Sequence, residues 1–480
     1  PGEHDRPADR TFEHLTFPVE LLEEVATGRW DETSALDLRD GELARRYALL
    51  RGVLDRARPE IIGPLPALNE PLGLLQEAQQ RNPGLVKQML LHPTVGGWLG
   101  HTLRRLGSEQ SSQTPRWVDI GYFHTLAAAA AFRSGIECNI RVPVRDGGVM
   151  LPTLGRARVA HQEDQPFANA RIAQGSLQVS TDKTTVDMPS QFTTDAQNWE
   201  GARWVTLEAD GFEWTVLLDD LDPFRSSQGP LPPKRLDTAT AQRWEATFAR
   251  AWALLVGGHP EQARQIMGSS GLLTVVPWEA KKRFAPFSSS GSENLGGAEM
   301  SEPYDETQAA VTLVHELGHT TLNKLMNLIP LQNPGDDSRL YVAWRDDPRP
   351  ITGVLHGVVA FSVVANFYLQ QLQVATGRAR DLVALEAALW RQQVWNGAQI
   401  LQARPDELTT YGQFFLEKLM ARVEPWLSVE LPPQAVSRAR IIGANHKAHW
   451  YGHHLSPAQD LIDEAAAAWA AQDEVPASIF

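Results

Sequence analysis

From Asp305 to Pro330 the chain carries apolar residues at helical spacing, and His315-Glu316-Leu317-Gly318-His319 stands in the middle of them. Ala309, Ala310, Leu313, Val314, Leu317, Leu322, Leu325, Met326 and Ile329 make up the apolar set. Asp305 with Gln308 three residues on has the form of a capping box after Pro303, and Pro330 stops the run. On such a helix residues four apart share a face, so both imidazoles aim at one point. Two neutral imidazoles so placed are the usual start of a divalent transition-metal site. The bland alternative is a surface helix with two solvated histidines, and the apolar neighbours speak against it.

H-E-x-x-H alone suggests a zinc peptidase, with two His ligands, Glu316 as general base and a third ligand further on. A downstream Glu ligand is hard to find, because no Glu occurs between Glu316 and Glu386. The extended pattern H-E-x-x-H-x-x-G-x-x-H would need Gly and His where this chain has Leu322 and Leu325. Asp336, Asp337, Asp346 and Asp347 leave an Asp ligand open. Of the 14 histidines only His356 lies between His319 and His446. It sits in an apolar run entered after Pro350 that reads as a buried helix. Two readings stand there: third metal ligand, or core histidine bonded to a backbone carbonyl. Three protein ligands with open positions suit redox iron as well as catalytic zinc.

Between these helices runs Tyr341-Val-Ala-Trp344-Arg345-Asp346-Asp347-Pro348-Arg349-Pro350. A guanidinium matches a carboxylate bidentately, so Arg345 or Arg349 would suit the distal end of a dicarboxylate co-substrate such as 2-oxoglutarate. The alternative is a rigid loop in which these arginines pair with Asp346 or Asp347. Upstream, Ser288-Ser-Ser290-Gly-Ser-Glu-Asn-Leu-Gly296 reads as a flexible loop leading into the metal helix. Ser288, Ser290 and Trp344 are the expected substrate contacts.

The remaining sequence predicts an α+β fold, mainly helical with a central antiparallel β-hairpin region. The metal site is expected between the H-E-x-x-H helix and the following buried helix. Three regions are expected: helical over 1–138, hairpin-rich over 139–228, and a helical metal-binding catalytic region over 229–480. Helices are expected over 20–26, 41–58, 71–80, 85–106, 121–133, 238–256 and 261–267, with a last one over 458–472 after Pro457. Asp146-Gly147-Gly148 and Asp210-Gly211 between alternating apolar residues predict hairpins, and segments 172–180 and 184–188 predict another about Asp182. A strand is expected over 272–276. Most of the 15 Trp should be core, although an aromatic sheet could also hold a peptide by edge addition.

A net charge of −14 argues against general nucleic-acid binding. Cys138 is the only cysteine, which rules out an internal disulfide, fits the cytosol and reads as a small core residue. Pro1-Gly-Glu-His-Asp5 reads as no secretory signal, and the apolar run 351–368 is shorter than a usual span, so a cytoplasmic protein is expected without membrane or nucleic-acid partners. A second cluster, Asn445-His446-Lys-Ala-His449-Trp-Tyr-Gly-His453-His454, would bring three histidines to one helical face. It reads as a solvated or substrate-facing patch, with a metal site as the alternative.

H-E-x-x-H, then Y-x-x-W-R-x-D-P-R-P, then G-x-L-x-G-x-x-A over 353–360 resembles the H-E-x-x-H-type 2-oxoglutarate-dependent peptide β-hydroxylases of gene clusters for ribosomally made, modified peptides. The resemblance covers most of the chain. It extends to Asp119-Ile-Gly-Tyr-Phe-His124, Val142–Val149, Leu151–Gly155, Leu218-Asp-Asp-Leu-Asp-Pro-Phe-Arg225, Val276-Pro277, the Ser/Gly stretch and the second histidine cluster. It implies an Fe(II) oxygenase that uses 2-oxoglutarate and O2 to hydroxylate the β-carbon of a residue in a precursor peptide. His315 and His319 carry over as iron ligands. His356 is the candidate third, but some relatives have Gln there and His where this chain has Phe361, so the ligand could move within the helix or be a carboxylate. Glu316 would orient a ligand or a proton. Two other classes stand beside this one: a zinc metallopeptidase with Glu316 as base, and a peptide-binding module with a structural metal. The residue modified and the oligomeric state do not follow from the sequence.

Overall fold

In the computed structural model, the structure describes residues 17–108, 113–159, 166–268, 271–279, 286–335, 338–455 and 459–471. It is a mixed α/β fold, mainly helical, in two compact units that meet in sequence at Pro330 and Leu331. These units do not follow the composition boundaries after 138 and 228. The chain beyond 228 returns to a sheet begun before it, so strand and helix regions share one unit. Asp336, Asp337 and the ends of the predicted 458–472 helix lie outside the described residues.

The first unit opens with α1 (Val19–Thr27), α2 (Glu32–Arg56), α3 (Asn69–Arg81), α4 (Pro83–Leu91), α5 (Pro93–Leu106), α6 (Arg116–Ile120) and α7 (Tyr122–Arg133). α2 begins well before the expected position 41, because Asp31 and Ser34 form a reciprocal capping box at its start. Gly41 is then interior, where a Cβ would stand 2.6 Å from a methyl of Leu328. The predicted 85–106 helix breaks in two at His92-Pro93.

Among the described residues, nine strands follow: β1 (Cys138–Pro143), β2 (Gly148–Leu151), β3 (Gly155–Arg158), β4 (Phe167–Ala173), β5 (Ser176–Ser180), β6 (Thr185–Asp187), β7 (Trp199–Gly201), β8 (Arg203–Ala209) and β9 (Phe212–Leu218). β8 and β9 form the antiparallel hairpin expected about Asp210-Gly211, and β5 pairs with β6 about Asp182. The hairpin expected about Asp146-Gly147 is different. Both residues take positive φ and make the turn, but β1 goes on to pair with β4 and β2 with β3, in separate sheets. The sheet orders are β1-β4-β5-β6 and β2-β3-β7, both antiparallel.

α8 (Thr238–Gly258) and α9 (Pro260–Met267) precede β10 (Thr274–Trp278), β11 (Ser288–Ser289), β12 (Gly297–Ser301) and α10 (Glu306–Leu328). The third sheet has the order β11-β12-β10-β9-β8 and is mixed, since β10 runs parallel to both β9 and β12. Trp98, Trp199, Trp214, Trp244 and Trp252 are all buried, as core tryptophans should be. Trp214 on β9 meets Trp252 on α8 at 5.4 Å between ring centroids, so aromatic packing holds α8 on this sheet. Half-buried Cys138 has its thiol pushed up to about 11, chiefly by burial, which leaves it a poor nucleophile.

The second unit holds α11 (Ile351–Gln371), α12 (Gly377–Gln402), α13 (Thr410–Val423), α14 (Pro433–His454) and α15 (Gln459–Ala471). α11 is long and apolar enough to cross a membrane by length and composition, yet 61% of its most apolar window is buried inside the protein. It packs along α12, which also receives α13 and α14. Trp344 is wedged where α11 and α12 cross: Gly357 and Gly397 both face its indole, and a Cβ on Gly357 would overlap the ring.

Candidate metal centre

α10 is built as its sequence demands. Asp305 Oδ1 accepts the Gln308 N–H at 2.8 Å. Gln308 Oε1 reaches back one residue further than a capping box requires, accepting from Tyr304 N at 2.9 Å. Ala309, Ala310, Leu313, Val314, Leu317, Leu322 and Leu325 are buried, and the helix packs against α8, α2 and α9.

This frame brings His315 and His319 together. Their Nε2 atoms lie 3.2 Å apart, with ring planes at 87°. Two nitrogens each bound at about 2.0–2.1 Å to one ion would be separated by about 3.0 Å at a right angle and about 3.4 Å at the tetrahedral angle. The observed separation falls between these, so the pair fits a common metal. Burial also holds the His315 imidazole neutral, its pKa pushed down to about 4. Among the described residues, no group of three or more His, Cys, Asp and Glu side chains is disposed to hold a metal ion.

Glu316 stands among Ser288, Ser290 and Glu299. Its side chain is fully buried, and neither carboxylate oxygen has a hydrogen-bond partner of ordinary geometry among the described residues. Burial raises its pKa to about 7; the Ser288 and Ser290 hydroxyls moderate the rise, and the Glu299 charge adds to it. Glu299, on β12, is itself buried and accepts from Ser226 Oγ at 3.1 Å, Ser227 N at 2.7 Å and Ser227 Oγ at 2.8 Å. Sequence reasoning passed over Glu299 and the two serines. The available signal was a single Glu in Gly-Ala-Glu-Met-Ser, a stretch every residue of which is buried. Lys324, further along α10, was also missed; burial lowers its pKa to about 8, with Glu42 acting against and Arg46 adding to the fall.

Ser288 and Ser290 lie beside α10, and their stretch is not the free loop that was expected. Ser288–Ser289 is the edge strand β11, paired antiparallel to β12. Beyond it, Arg46 Nη2 donates to Glu293 O at 3.0 Å, Asn294 Nδ2 donates to Phe224 O at 2.8 Å, and Arg104 pairs with Glu293. The stretch rests on a face of α5 made of Gly96, Gly97 and Gly100, where added Cβ atoms would overlap Arg46, Asn294 and Glu293. Gly and Ser here mark close packing.

In the second unit, His356 lies in α11 with its pKa pushed down to about 4, first by burial and then by the Arg349 charge. Arg345 Nε and Arg349 Nη1 both donate to Asp347, at 2.9 Å each, so the ion-paired loop is the arrangement adopted. Asp346 instead meets His446 Nε2 at 3.5 Å, and its carbonyl meets His454 Nε2 at 2.6 Å. Phe361 stacks on Trp390 at 4.1 Å and also contacts Trp344. No protein-family model matches the chain, and no curated protein matches it.

Proposed function

We propose that the chain is an Fe(II)- and 2-oxoglutarate-dependent oxygenase that hydroxylates the β-carbon of a residue in a ribosomally made precursor peptide, in the cytoplasm. The observation that carries the metal half of this reading is the convergence of His315 and His319 Nε2 at 3.2 Å on a well-capped helix. The choice of iron oxygenase over zinc peptidase is supported by Tyr341–Pro350 following the metal helix, and by the lack of a Glu between Glu316 and Glu386.

In this reading His315 and His319 hold the ion, and His356 is the candidate third ligand. Ferrous iron with 2-oxoglutarate supplies the O2 chemistry that installs a hydroxyl on an unactivated carbon. Arg345 or Arg349 takes the distal carboxylate of 2-oxoglutarate, replacing the Asp347 carboxylate. Exposed ion pairs contribute only about 0–1 kcal/mol, so such an exchange costs little. Ser288, Ser290 and Trp344 are the proposed substrate contacts. Glu316, shut away from solvent, orients a proton or a neighbouring ligand; a hydrolytic base has no place in this scheme.

The test needs no peptide. Metal-free protein is loaded anaerobically with Fe(II) and titrated with 2-oxoglutarate while the visible charge-transfer band is followed. A saturable band, lost in His315→Ala, is the expected result. No band, with tight zinc binding and cleavage of test peptides, would return the chain to the metallopeptidases.

A further inference from the structure

The second unit contains a groove of about 640 Å³, within the range of about 300–1000 Å³ usual for ligand sites. One wall is the segment from Arg339 to Trp344, the floor is α12 from Gln393 with Ala403 and Arg404 just past its end, and the far wall is α14 at Lys447, Trp450 and Tyr451. Among the described residues, Arg339, Arg404 and Lys447 bring positive charge to its lining, and no carboxylate does. In a chain of net charge −14 this concentration of positive charge is against the trend. Lys447 Nζ lies 5.2 Å from the Tyr451 ring, which holds the ammonium at the groove wall. Arg404 donates from Nη1 to Ile400 O at 3.3 Å and meets Glu407 at 3.6 Å.

The uncharged lining completes the picture. Tyr341, Trp344 and Tyr451 offer aromatic surface, and Gln393, Asn396 and Gln399 lie along α12 at spacings of three. Side-chain amides both donate and accept, as a peptide backbone requires. A second hollow that also meets Trp450 has a different lining, Asp346, Asp347 and four histidines.

We propose that the groove binds an extended acidic peptide segment, its carboxylates on Arg339, Arg404 and Lys447 and its apolar side chains against the aromatic wall. A single-stranded nucleic acid would use the same kinds of group. Three cations on so acidic a protein favour a short segment with a few carboxylates over a continuous polyanion. The inference stands on the groove alone, and needs neither iron nor the oxygenase reading.

The test uses full-length, metal-free protein titrated into a short fluorescein-labelled peptide rich in Glu and Phe, followed by anisotropy. Saturable binding is expected, stronger at low salt. It should weaken about tenfold or more in the Lys447→Glu, Arg404→Glu double variant, and by a similar factor when each peptide Glu becomes Gln. Thermal melting checks that the variant is folded, and Arg339→Glu gives the same comparison if it is not. Absence of saturation, equal binding of the Gln peptide, indifference to the charge reversals, or tighter binding of a labelled single-stranded oligonucleotide would each overturn the proposal. Because no metal is present, failure here leaves the iron reading untouched.

Discussion

The indole of Trp344 lies so close to Gly357 that no side chain can replace the glycine hydrogen without moving one of them. Gly357 follows His356 directly on α11, so the residue that admits the indole adjoins the candidate ligand. Gly357→Ala is therefore expected to destabilise the protein by about 1–3 kcal/mol, the usual cost of overpacking. Thermal or urea unfolding measures it; an unchanged midpoint would mean that the wedge is slack.

His356 has two readings that separate cleanly by experiment. As a ligand, His356→Ala lowers iron stoichiometry or affinity and leaves the melting temperature of metal-free protein nearly unchanged. As a core histidine, the same substitution lowers that melting temperature and spares the metal. His315→Ala and His319→Ala should each abolish Fe(II) binding. Stoichiometric iron retained in either would refute the pair as a metal site.

Arg345 and Arg349 share one exposed carboxylate, that of Asp347. Replacing either with Ala should cost about 0–1 kcal/mol of stability. If one of them anchors 2-oxoglutarate, its loss weakens the co-substrate by about tenfold or more while sparing iron. Titration of the charge-transfer band in each variant distinguishes the two. Unchanged affinity in both would move the anchor elsewhere.

Asp219 offers a pH test remote from the histidines in sequence. Both Asp219 and Asp222 are buried, and Asp219 Oδ1 accepts the backbone N–H groups of Leu221 and Asp222 at 3.2 and 3.0 Å. Burial, with the Asp222 charge next, raises the Asp219 pKa; Arg225 and the two N–H groups act against it. Asp222 is raised by burial too, against the Tyr122 hydroxyl, which donates to it at 2.7 Å. A carboxyl raised in the folded state binds its proton more tightly than the unfolded chain does. Its contribution is complete below the ordinary aspartate range, about pH 4, and is lost as pH rises toward neutrality. Asp219→Asn keeps the acceptor and removes the charge. Its melting temperature relative to the parent should rise by about 3 °C or more between about pH 5 and about pH 8. A constant difference would show that Asp219 does not titrate there.

What the sequence disclosed follows the range of the interactions involved. α10, its cap and the shared face of His315 and His319 depend on residues within four positions of each other, and periodicity exposes those. The β8–β9 hairpin was legible for the same reason. β12 was not: it pairs in parallel with β10, about twenty residues earlier, and its antiparallel partner β11 is only Ser288–Ser289, too short to show a period. The divergence of β1 and β2 is decided by β4 and β3, which a correct reading of the Asp146-Gly147 turn cannot reveal. At the candidate site the residue types at 345 and 349 suggested carboxylate capture, but their present carboxylate partner, Asp347, was one of two the sequence allowed.

The bare face of α5 has a consequence for anyone redesigning this protein. Because Gly96, Gly97 and Gly100 receive the backbone and side chains of Glu293 and Asn294 directly, helix and loop behave as a matched pair of castings. Grafting a different sequence into 293–294 to retune specificity would leave unfilled space on the helix, and filling that space would expel the parent loop. The two segments, almost two hundred residues apart in the chain, have to be exchanged together or left alone.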